Sequence, residues 1–526
     1  MHMRGPVALM LFLCVGKLFA ANSIVPALVQ SSIRQRVSNG YNPGIAVGIA
    51  DANGRAFFSY GVASPETGQP VTEATLFEIG SVTKAFTATL LANLIQTGEV
   101  ALSDSVRTYL PSTVSGPSRN GIEITLEHLV THTSALPYFP PNLTNADPEN
   151  PYADFSVDNL YSLLNTFRLP RDPGTGYEYS NVGVGLLGHA LALRGGKSYE
   201  ELLRERLLDP LGMSETRIRL TPEQIGRRAT GYSGVVARPP FEMASLEGAG
   251  ALYSSTSDLL TFLEFNCGLR TNSLSSAFAN AATMRRATDI SGIHIGLVWW
   301  LLPIAGDTVV FHEGNTIGQT AFVGYRRNPK RAVVVLTNAR VNQYANVEDI
   351  GLNLLGVIPS LTAIPSLPAV PLQNLRAYQG IYTNIDGTLF DMRLTNNFLT
   401  FSFSNASNIF TTLYQTNARV FNVLDLGVQA SSTFATNSAG LVTSLVWRQS
   451  GLASTYLRQT NPSRLEMAAS TKGVELVLHG DSQLTYAIEE SGDFRDWRPF
   501  ATNSIWTNRI PVSTALPDRF YRSRAR

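Results

Sequence analysis

The chain has 526 residues, with 41 Lys and Arg against 40 Asp and Glu. This length is too great for one ordinary domain, and 44% hydrophobic against 15% charged residues excludes a wholly disordered chain. The near-zero net charge excludes the basic surface of a nucleic-acid-binding protein, so we expect no nucleic-acid partner.

Residues 1–21 have the pattern of a secretory signal peptide. Arg4 precedes an apolar run over residues 7–15, and residues 18–21 supply small side chains for cleavage. The run is too short to span a bilayer, and no later stretch has the roughly 18 uninterrupted apolar residues of a membrane helix. A lipid anchor on Cys14 is disfavoured because a bulky residue precedes it. We therefore expect a periplasmic or secreted protein with no stable membrane span after cleavage.

Residues 22–358 mix strand and helix patterns and are expected to form one domain. Residues 44–50 and 55–62 are apolar-rich runs joined by a turn that contains Asn53-Gly54, which predicts a β-hairpin. Residues 81–97 have helical periodicity, and Gly98 is a stop signal. The chain then returns to strand patterns, at residues 308–311, 320–325 and 332–336.

The C-terminal third reads as two small all-β modules. Prolines at 359, 365, 368 and 371 mark residues 359–372 as a linker. Residues 373–460 alternate apolar and polar side chains between Asn and Gly turns, notably at 380–382, 389–394, 398–403 and 441–447, which predicts a small barrel. Residues 465–526 are also rich in strand patterns, and we expect a small module similar to a β-sandwich.

A serine and a lysine at the start of a predicted helix are the first candidate catalytic residues. Ser81 and Lys84 are three residues apart, so they share one helical face. A serine hydroxyl is a poor nucleophile unless a base lies within hydrogen-bond reach, and a desolvated lysine amine can be that base. The chain has only five lysines, and arginine cannot replace lysine as a base. A surface helix with an idle Ser and Lys is the simpler alternative.

Two further segments carry polar groups suited to the same chemistry. In the first, Tyr179 can exchange a proton with Ser81 if a nearby ammonium lowers its pKa, and Asn181 offers an amide to the substrate or to Lys84. In the second, His312 follows a predicted strand, Gly314 permits close approach of a substrate, and the N–H of Asn315 could complete an oxyanion hole with the N–H of Ser81. Taken singly, packing tyrosines and a structural histidine explain these segments equally well.

Together, the three segments resemble the serine β-lactamase and penicillin-binding family. The resemblance is to its class C-like branch, which contains class C β-lactamases, D-Ala-D-Ala carboxypeptidases, D-aminopeptidases and esterases. Residues 129–136, 248–254 and 314–318 support the resemblance, which covers about residues 24–358. It implies an α+β fold of the β-lactamase/transpeptidase type, an antiparallel sheet with a helical subdomain. Residues 373–460 are similar to the lipocalin-like barrel often attached to this branch.

The resemblance also implies roles for the candidate residues. Ser81 would be the nucleophile, with Lys84 and Tyr179 as the base pair, and Asn181 would position the substrate. His312 would contact the substrate carboxylate. Class C β-lactamases carry lysine at this position, whereas a histidine here is more similar to carboxypeptidases and aminopeptidases of the branch. Histidine binds a carboxylate more weakly than lysine near neutral pH. No metal or other cofactor is implied.

Two other patterns have simpler explanations. Residues 183–188 fit the dinucleotide-binding glycine pattern but lack a preceding strand, so close helix packing explains them better. His128 and His132 have a spacing that can place two zinc ligands on one helix face, but no third ligand is evident.

We therefore predict an exported serine hydrolase that acylates Ser81 and then hydrolyses the acyl-enzyme. The expected substrates are D-amino-acid peptides, as for a D-Ala-D-Ala carboxypeptidase, or β-lactams, with cell-wall peptidoglycan as a candidate partner. One alternative is a carboxylesterase, for which His312→Ala should hardly matter because no carboxylate is held. The other is a non-hydrolytic scaffold that binds cell wall through its β modules.

Overall fold

The computed structural model describes residues 24–459 apart from 145, 146, 148, 366–374, 404–409, 418 and 425–429, and beyond 459 only strands between 464 and 525. The predicted signal peptide and residues 366–372 of the predicted linker lie outside the described residues. Among the helices that the structure describes, none is both long and apolar enough to cross a membrane.

A nine-stranded antiparallel sheet is the centre of the N-terminal part of the chain. The strands of this part are β1 (Gly44–Asp51), β2 (Gly54–Ser64), β3 (Gln69–Pro70), β4 (Phe77–Glu78), β5 (Ser118–Arg119), β6 (Ile122–Glu123), β7 (Gly231–Ser233), β8 (Val236–Arg238), β9 (Tyr253–Ser254), β10 (Arg286–Ala287), β11 (His294–Ile295), β12 (Trp300–Ile304), β13 (Asp307–Asn315), β14 (Thr320–Arg327) and β15 (Lys330–Thr337). The sheet order is β10-β11-β12-β13-β14-β15-β1-β2-β3. All five strand segments predicted in this part of the chain lie within it.

Strand β1 joins the two ends of this part of the chain. Ile45 lies opposite Tyr60 of β2 on one side and Thr337 of β15 on the other. Successive side chains of a strand point to opposite faces, and both faces of β1 are covered. Ala46 and Ala50 contribute to the core under the helices of one face, while alternate residues contribute to a second core with the terminal helices. The near-continuous apolar run of β1 therefore reflects burial on both faces.

Helices cover the two faces of the sheet unequally. The helices are α1 (Ala27–Ser38), α2 (Thr83–Gln96), α3 (Leu126–Val130), α4 (Val157–Thr166), α5 (Asn181–Gly195), α6 (Tyr199–Leu203), α7 (Asp209–Leu211), α8 (Pro222–Ile225), α9 (Thr256–Cys267), α10 (Ser275–Ala281) and α11 (Glu348–Leu354), with a π-helical turn at Arg204–Leu208 and 3₁₀ turns at Gly80–Val82, Val106–Tyr109 and Ala244–Ala249. Helices α1 and α11 cover one face, whereas α2, α5 and α9 contribute to the larger core on the other. The glycine-rich residues 183–188 lie inside α5, where a Cβ on Gly188 would come 3.0 Å from Gly248 Cα.

Eight strands of the next segment close into the predicted barrel. They are β16 (Gly380–Thr383), β17 (Leu389–Thr395), β18 (Phe398–Phe403), β19 (Thr411–Asn417), β20 (Val420–Val423), β21 (Ala430–Thr436), β22 (Val442–Gln449) and β23 (Leu452–Arg458). Strand β16 pairs with both β17 and β23, which closes the ring. Aromatic side chains such as Phe390, Phe401 and Trp447 contact one another in its core, so they fill the interior as a hydrophobic core does.

The barrel contacts the β7–β8 hairpin of the N-terminal part. Thr412 Oγ1 accepts a hydrogen bond from the N–H of Val235 at 3.0 Å, and Arg238 Nη2 donates to the carbonyl of Phe410 at 2.8 Å. Tyr41 and Tyr414 stack with ring centroids 5.5 Å apart. These contacts attach the barrel to the domain that carries the candidate site.

The last strands form two three-stranded antiparallel sheets, of order β24-β25-β28 and β27-β26-β29. Their strands are β24 (Arg464–Ser470), β25 (Gly473–His479), β26 (Thr485–Ser491), β27 (Arg498–Ser504), β28 (Arg509–Val512) and β29 (Phe520–Ala525). The strand content expected for residues 465–526 is therefore present, and the sandwich-like arrangement stays a prediction.

Candidate active site

Ser81 lies in a short turn that leads into α2. The 3₁₀ turn Gly80–Val82 precedes the helix, so α2 begins at Thr83 and not at Ser81 as the periodicity suggested. Gly80 has φ +48°, a left-handed conformation that favours glycine, and a Cβ there would come 2.9 Å from the backbone nitrogen of Asn315. The turn leaves Ser81 half-buried at the base of a cleft, whereas Lys84 is buried below it.

The amine of Lys84 has three polar neighbours. Its Nζ lies 2.8 Å from Ser81 Oγ, 2.8 Å from Asn181 Oδ1 and 2.6 Å from the carbonyl oxygen of Ala249. Nδ2 of Asn181 donates to the Tyr152 hydroxyl at 3.0 Å, so Oδ1 is the atom of this amide that faces the amine. Both Oδ1 and the carbonyl oxygen of Ala249 can only accept hydrogen bonds. A neutral amine has two N–H donors and one lone pair, so these two acceptors leave the lone pair facing the hydroxyl of Ser81.

Burial favours the neutral form of the Lys84 amine. The side chain of Lys84 is fully buried, and this desolvation holds its pKa well below the ordinary lysine value. Among the described residues, no carboxylate is bonded to this amine. The structure therefore places the buried amine of Lys84 beside Ser81, and the role of this amine as the base stays a prediction.

Tyr179 lies against the same pair with its hydroxyl hydrogen-bonded to Ser81. Burial raises the pKa of this phenol well above 10, and the bond to Ser81 opposes the shift. The sequence interpretation relied on an ammonium to lower this pKa. The nearby amine of Lys84 has Nζ 4.9 Å from the ring centroid, but burial favours its neutral form. Tyr179 is therefore suited to donate a proton, and Lys84 is the better acceptor.

His132 holds Tyr179 in place and was weighed from the sequence only as a metal ligand. Its ring stacks on the Tyr179 ring with centroids 4.4 Å apart, and its Nδ1 accepts from the N–H of Ser180 at 3.1 Å. Helix α3 ends at Val130, and His132 has φ +55°, so the rings of His128 and His132 do not share a helix face. Only the family resemblance of residues 129–136 could have indicated from the sequence that His132 lies near the site, because no residue pattern around His132 suggests a catalytic role.

The end of β13 passes directly behind the serine turn. A Cβ on Gly314 would lie 1.9 Å from the carbonyl oxygen of Ile79 and 3.1 Å from the backbone nitrogen of Ser81, so only glycine fits. The next residue, Asn315, has its backbone nitrogen beside Gly80. The two predicted oxyanion-hole amides, those of Ser81 and Asn315, therefore belong to adjacent backbone segments at one edge of the cleft.

His312 is deeper than its predicted role requires. Its side chain is fully buried, stacks on Trp300 with centroids 5.0 Å apart, and has Nδ1 within 2.6 Å of the carbonyl of Glu313. A carbonyl can only accept, so Nδ1 carries the proton. Burial lowers the pKa of His312 to about 3. The imidazole is thus neutral and does not line the cavity above Ser81, which does not fit an ionic contact with a substrate carboxylate.

The buried histidines predict a stability that falls in acid. The unfolded chain protonates His312 near pH 6.5, whereas the folded protein does so only near pH 3, so the unfolded state binds one more proton between these values. The free energy of unfolding should therefore decrease by about 1.4 kcal/mol per pH unit for this residue as the pH falls from 6 to 4.

Urea unfolding between pH 4 and 7 measures this slope. We expect His312→Gln to reduce the slope by about one proton, while His294→Gln, at a partly exposed histidine of β11, serves as the control for loss of a histidine. An unchanged slope in His312→Gln would show that the folded protein protonates this ring as readily as the unfolded chain.

A cavity of about 240 Å³ opens above Ser81. Aromatic and apolar side chains form one wall, and the end of β13 with the segment after β15 forms the other. The lining includes the side chains of Tyr138, Phe139, Tyr152, Phe241, Asn315, Ile317 and Arg340. Tyr138 and Phe139 are about half exposed although both are aromatic, and they stack edge to face at 4.5 Å. The wall can therefore take a bulky apolar group next to the nucleophile.

This arrangement of Ser81, Lys84 and Tyr179 is typical of hydrolases with an active-site serine. The Beta-lactamase family model matches residues 29–356, which is more than half of the chain. The chain therefore belongs to the β-lactamase family, as the sequence motifs indicated, and its fold is that of the β-lactamase/transpeptidase type followed by all-β modules.

Relatives and solved structures agree with this assignment. A β-lactamase from Pseudomonas fluorescens is 31% identical over 361 residues, which are 60% of this chain and 96% of that protein. The D-alanyl-D-alanine-carboxypeptidase/endopeptidase AmpH of Escherichia coli (strain K12) is 29% identical over 326 residues, or 59% of this chain and 83% of that protein. A structure of a β-lactamase/D-alanine carboxypeptidase from Pseudomonas syringae has 26% identity and a TM-score of 0.55, covering 64% of this chain and 99% of its own.

Proposed function

We propose that this serine hydrolase is exported and acts through an acyl-enzyme on Ser81, with peptides ending in D-amino acids or β-lactams as substrates. One observation carries the proposal: Lys84 Nζ lies 2.8 Å from Ser81 Oγ, and its two other neighbours can only accept hydrogen bonds. The names of the relatives, which include β-lactamases and a D-alanyl-D-alanine carboxypeptidase, support the substrate class.

Acylation begins with proton transfer from Ser81 to the lone pair of Lys84. The oxygen of Ser81 attacks the substrate carbonyl as it loses this proton, and negative charge develops on the carbonyl oxygen. The backbone N–H groups of Ser81 and Asn315 are the donors that would stabilise this oxyanion. Asn181 holds the amine, and its own Nδ2 is fixed by the Tyr152 hydroxyl at 3.0 Å.

Tyr179 would protonate the leaving group. Its phenol keeps its proton at neutral pH because burial raises its pKa, so it can give that proton to the leaving nitrogen as the acyl bond breaks. The hydrogen bond to Ser81 connects Tyr179 with the protonated Lys84, which returns a proton to the phenol. Deacylation reverses these roles, with water in the place of the leaving group.

Intact-mass spectrometry with a penicillin tests this proposal. We expect the mass of the protein to increase by that of the whole penicillin, and a Ser81→Ala variant to show no increase. A lasting adduct would indicate a penicillin-binding peptidase with slow deacylation, whereas a short-lived adduct with penicillin consumed would indicate a β-lactamase. Release of D-Ala from an N-acylated D-Ala-D-Ala peptide checks the peptidase reaction directly. A wild-type protein that forms no adduct, consumes no penicillin and releases no D-Ala would contradict the proposed substrate class.

A carboxylesterase is the second candidate because of His312. Its neutral, buried imidazole offers no charged contact to a carboxylate, and an ester substrate needs none. Turnover of a p-nitrophenyl ester by wild type, with neither a penicillin adduct nor D-Ala release, would favour this candidate.

Export is proposed from the signal-peptide pattern of residues 1–21. Expression of the full chain in a Gram-negative host, followed by fractionation, should place the protein in the periplasm or the medium with a new N-terminus near residue 21. A cytoplasmic protein that retains Met1 would contradict export.

A further inference from the structure

Glu78 is a buried acidic residue three positions before the candidate nucleophile. It ends β4, only 6% of its surface is exposed, and it does not line the cavity above Ser81. Its two carboxyl oxygens accept hydrogen bonds from opposite walls of that cavity. The N–H of Phe241 donates to Oε1 at 2.8 Å, and the hydroxyl of Thr316 donates to Oε2 at 2.7 Å. Since Phe241 and Thr316 both line the cavity, this side chain connects the two walls directly.

The neighbours of this carboxyl group act as hydrogen-bond donors. The N–H of Phe241 can only donate. The hydroxyl oxygen of Thr316 accepts from the N–H groups of Gly318 and Gln319 at 3.3 and 3.0 Å, so both of its lone pairs are used and its proton is directed to Glu78. An amide nitrogen in the place of either carboxyl oxygen would therefore set a donor against a donor.

Other groups hold the same side chain in place. The Tyr253 hydroxyl, on the paired strand β9, lies 3.4 Å from Oε1, and the N–H of Glu78 donates to Gln319 Oε1 at 3.2 Å. Burial raises the pKa of the Glu78 carboxyl, and its hydrogen bonds and the positive charge of Arg228 oppose this shift. The carboxyl group is thus fixed relative to the strand that leads to Ser81.

The two cavity walls differ in what else holds them. Asn150 forms two further hydrogen bonds to the backbone on either side of Phe241, at 3.2 and 3.0 Å. On the opposite wall, Thr316 directly follows Asn315, the last residue of β13, whose N–H is one of the two proposed oxyanion-hole donors. Loss of the bonds to Glu78 should therefore disturb the Asn315 side more than the Phe241 side.

We infer that Glu78 is a positioning residue for acyl transfer. Its carboxylate holds Thr316, and through it the N–H of Asn315, at a fixed place relative to Ser81 and to the aromatic wall. This inference rests on the proposed acyl-enzyme function and deepens it. Because Glu78 does not line the cavity, it acts on the rate of acylation through Thr316 and not through contact with the substrate.

Single-turnover acylation by a penicillin, followed by quenched intact-mass spectrometry, tests this role. Glu78→Gln should lower the acylation rate constant by about 10- to 100-fold, because a small displacement of an oxyanion-hole donor has an effect of this size. The Kd of the noncovalent complex should change by no more than a few-fold, because Asn150 still holds the segment of Phe241. An unchanged acylation rate constant in a folded Glu78→Gln variant would overturn the inference.

Asp258→Asn is the matched control for loss of a buried carboxylate. Asp258 accepts from the hydroxyl of Thr216 at 2.9 Å and from the N–H of Glu215 at 3.0 Å, and none of these residues lines the cavity. We expect this variant to lose thermal stability, as Glu78→Gln does, and to keep the acylation rate constant of the wild type. Equal losses of rate in the two variants would show that Glu78 acts only through stability.

A double-mutant cycle with Thr316→Val tests whether the bond between the two side chains carries the effect. Valine has nearly the shape of threonine but no hydroxyl, so Thr316→Val should also lower the acylation rate constant. The double variant should acylate no more slowly than the slower single variant, since both changes remove the same bond. Losses that multiply in the double variant would show independent effects and overturn the inference.

Hydrogen exchange separates failure of this inference from failure of the proposed function. In Glu78→Gln, the amides of residues 315–319 should exchange about 10-fold faster than in the wild type, the effect of losing one buried hydrogen bond, and Asp258→Asn should not change them. Unchanged exchange in Glu78→Gln would overturn the role of Glu78 even if the wild type is acylated normally. Faster exchange in a protein whose wild type is never acylated would overturn the proposed function and keep the connection between the walls.

Discussion

Replacing Ser81 with alanine should abolish the acyl-enzyme and lower kcat at least about 10⁴-fold for any substrate that the wild type turns over. The hydroxyl of Ser81 is the only candidate nucleophile in hydrogen-bond contact with the buried amine of Lys84 among the described residues. Without the oxygen of Ser81, no atom beside the Lys84 amine can form a bond to the substrate carbonyl, although the oxyanion-hole amides remain. Intact-mass spectrometry and steady-state kinetics measure the loss, and a thermal unfolding curve checks that the variant is folded.

Ser245→Ala is the matched control for this variant. Ser245 is half-buried like Ser81, but its hydroxyl donates to the carbonyl of Phe155 at 2.7 Å, and no lysine or histidine is hydrogen-bonded to it among the described residues. We expect Ser245→Ala to retain the penicillin adduct and to change kcat by no more than a few-fold. A penicillin adduct that persists in Ser81→Ala and disappears in Ser245→Ala would place the nucleophile elsewhere.

Replacing Lys84 with methionine should lower the acylation rate by about 10²- to 10⁴-fold, the contribution typical of a positioned general base. Methionine has a similar length and suits a buried site, but it has no lone pair that can take the proton of Ser81. The carbonyl of Ala249 and Asn181 Oδ1 lose their donor in this variant, so its folding must be checked by thermal unfolding. Lys197→Met, at an exposed lysine paired with Glu205, should leave the acylation rate unchanged.

The pH profile distinguishes a base from a structural lysine at position 84. Because burial lowers the pKa of Lys84, the wild-type acylation rate should fall as the pH decreases through that pKa and stay high at neutral pH, well below the ordinary lysine value. In Lys84→Met, we expect the acylation rate to be low at every pH and to show no such fall at low pH. A wild-type rate that rises only as the pH approaches the ordinary lysine pKa would show that the amine is protonated at neutral pH.

The sequence predicted those parts of the fold that depend on neighbours along the chain. Alternating and continuous apolar runs placed the strands at residues 44–50, 320–325 and 332–336, and the β-barrel, because the side-chain period of a strand is local. The three-residue spacing of Ser81 and Lys84 predicted that they share one face, and in the structure Lys84 Nζ lies 2.8 Å from Ser81 Oγ although Ser81 lies in the turn before the helix. Residue type and position made Tyr179, Asn181, His312, Gly314 and Asn315 candidates one segment at a time, and the family resemblance joined these segments to Ser81 and Lys84.

The tertiary structure decided which protonation states these candidates have and which residues join them. Desolvation sums over side chains far apart in sequence, so no local pattern could show that burial lowers the pKa of Lys84, raises that of Tyr179 and leaves His312 out of contact with solvent. His132 reaches Tyr179, and Arg340 the wall above Ser81, only because the sheet order and the loops bring distant segments together. The sequence by itself therefore determined the fold and predicted the pair of Ser81 and Lys84, since the strand patterns, the spacing of the pair and the family motifs involve residues close along the chain. The protonation states of the site residues, and their contacts with residues distant in sequence, depend on long-range packing, which only the folded chain defines.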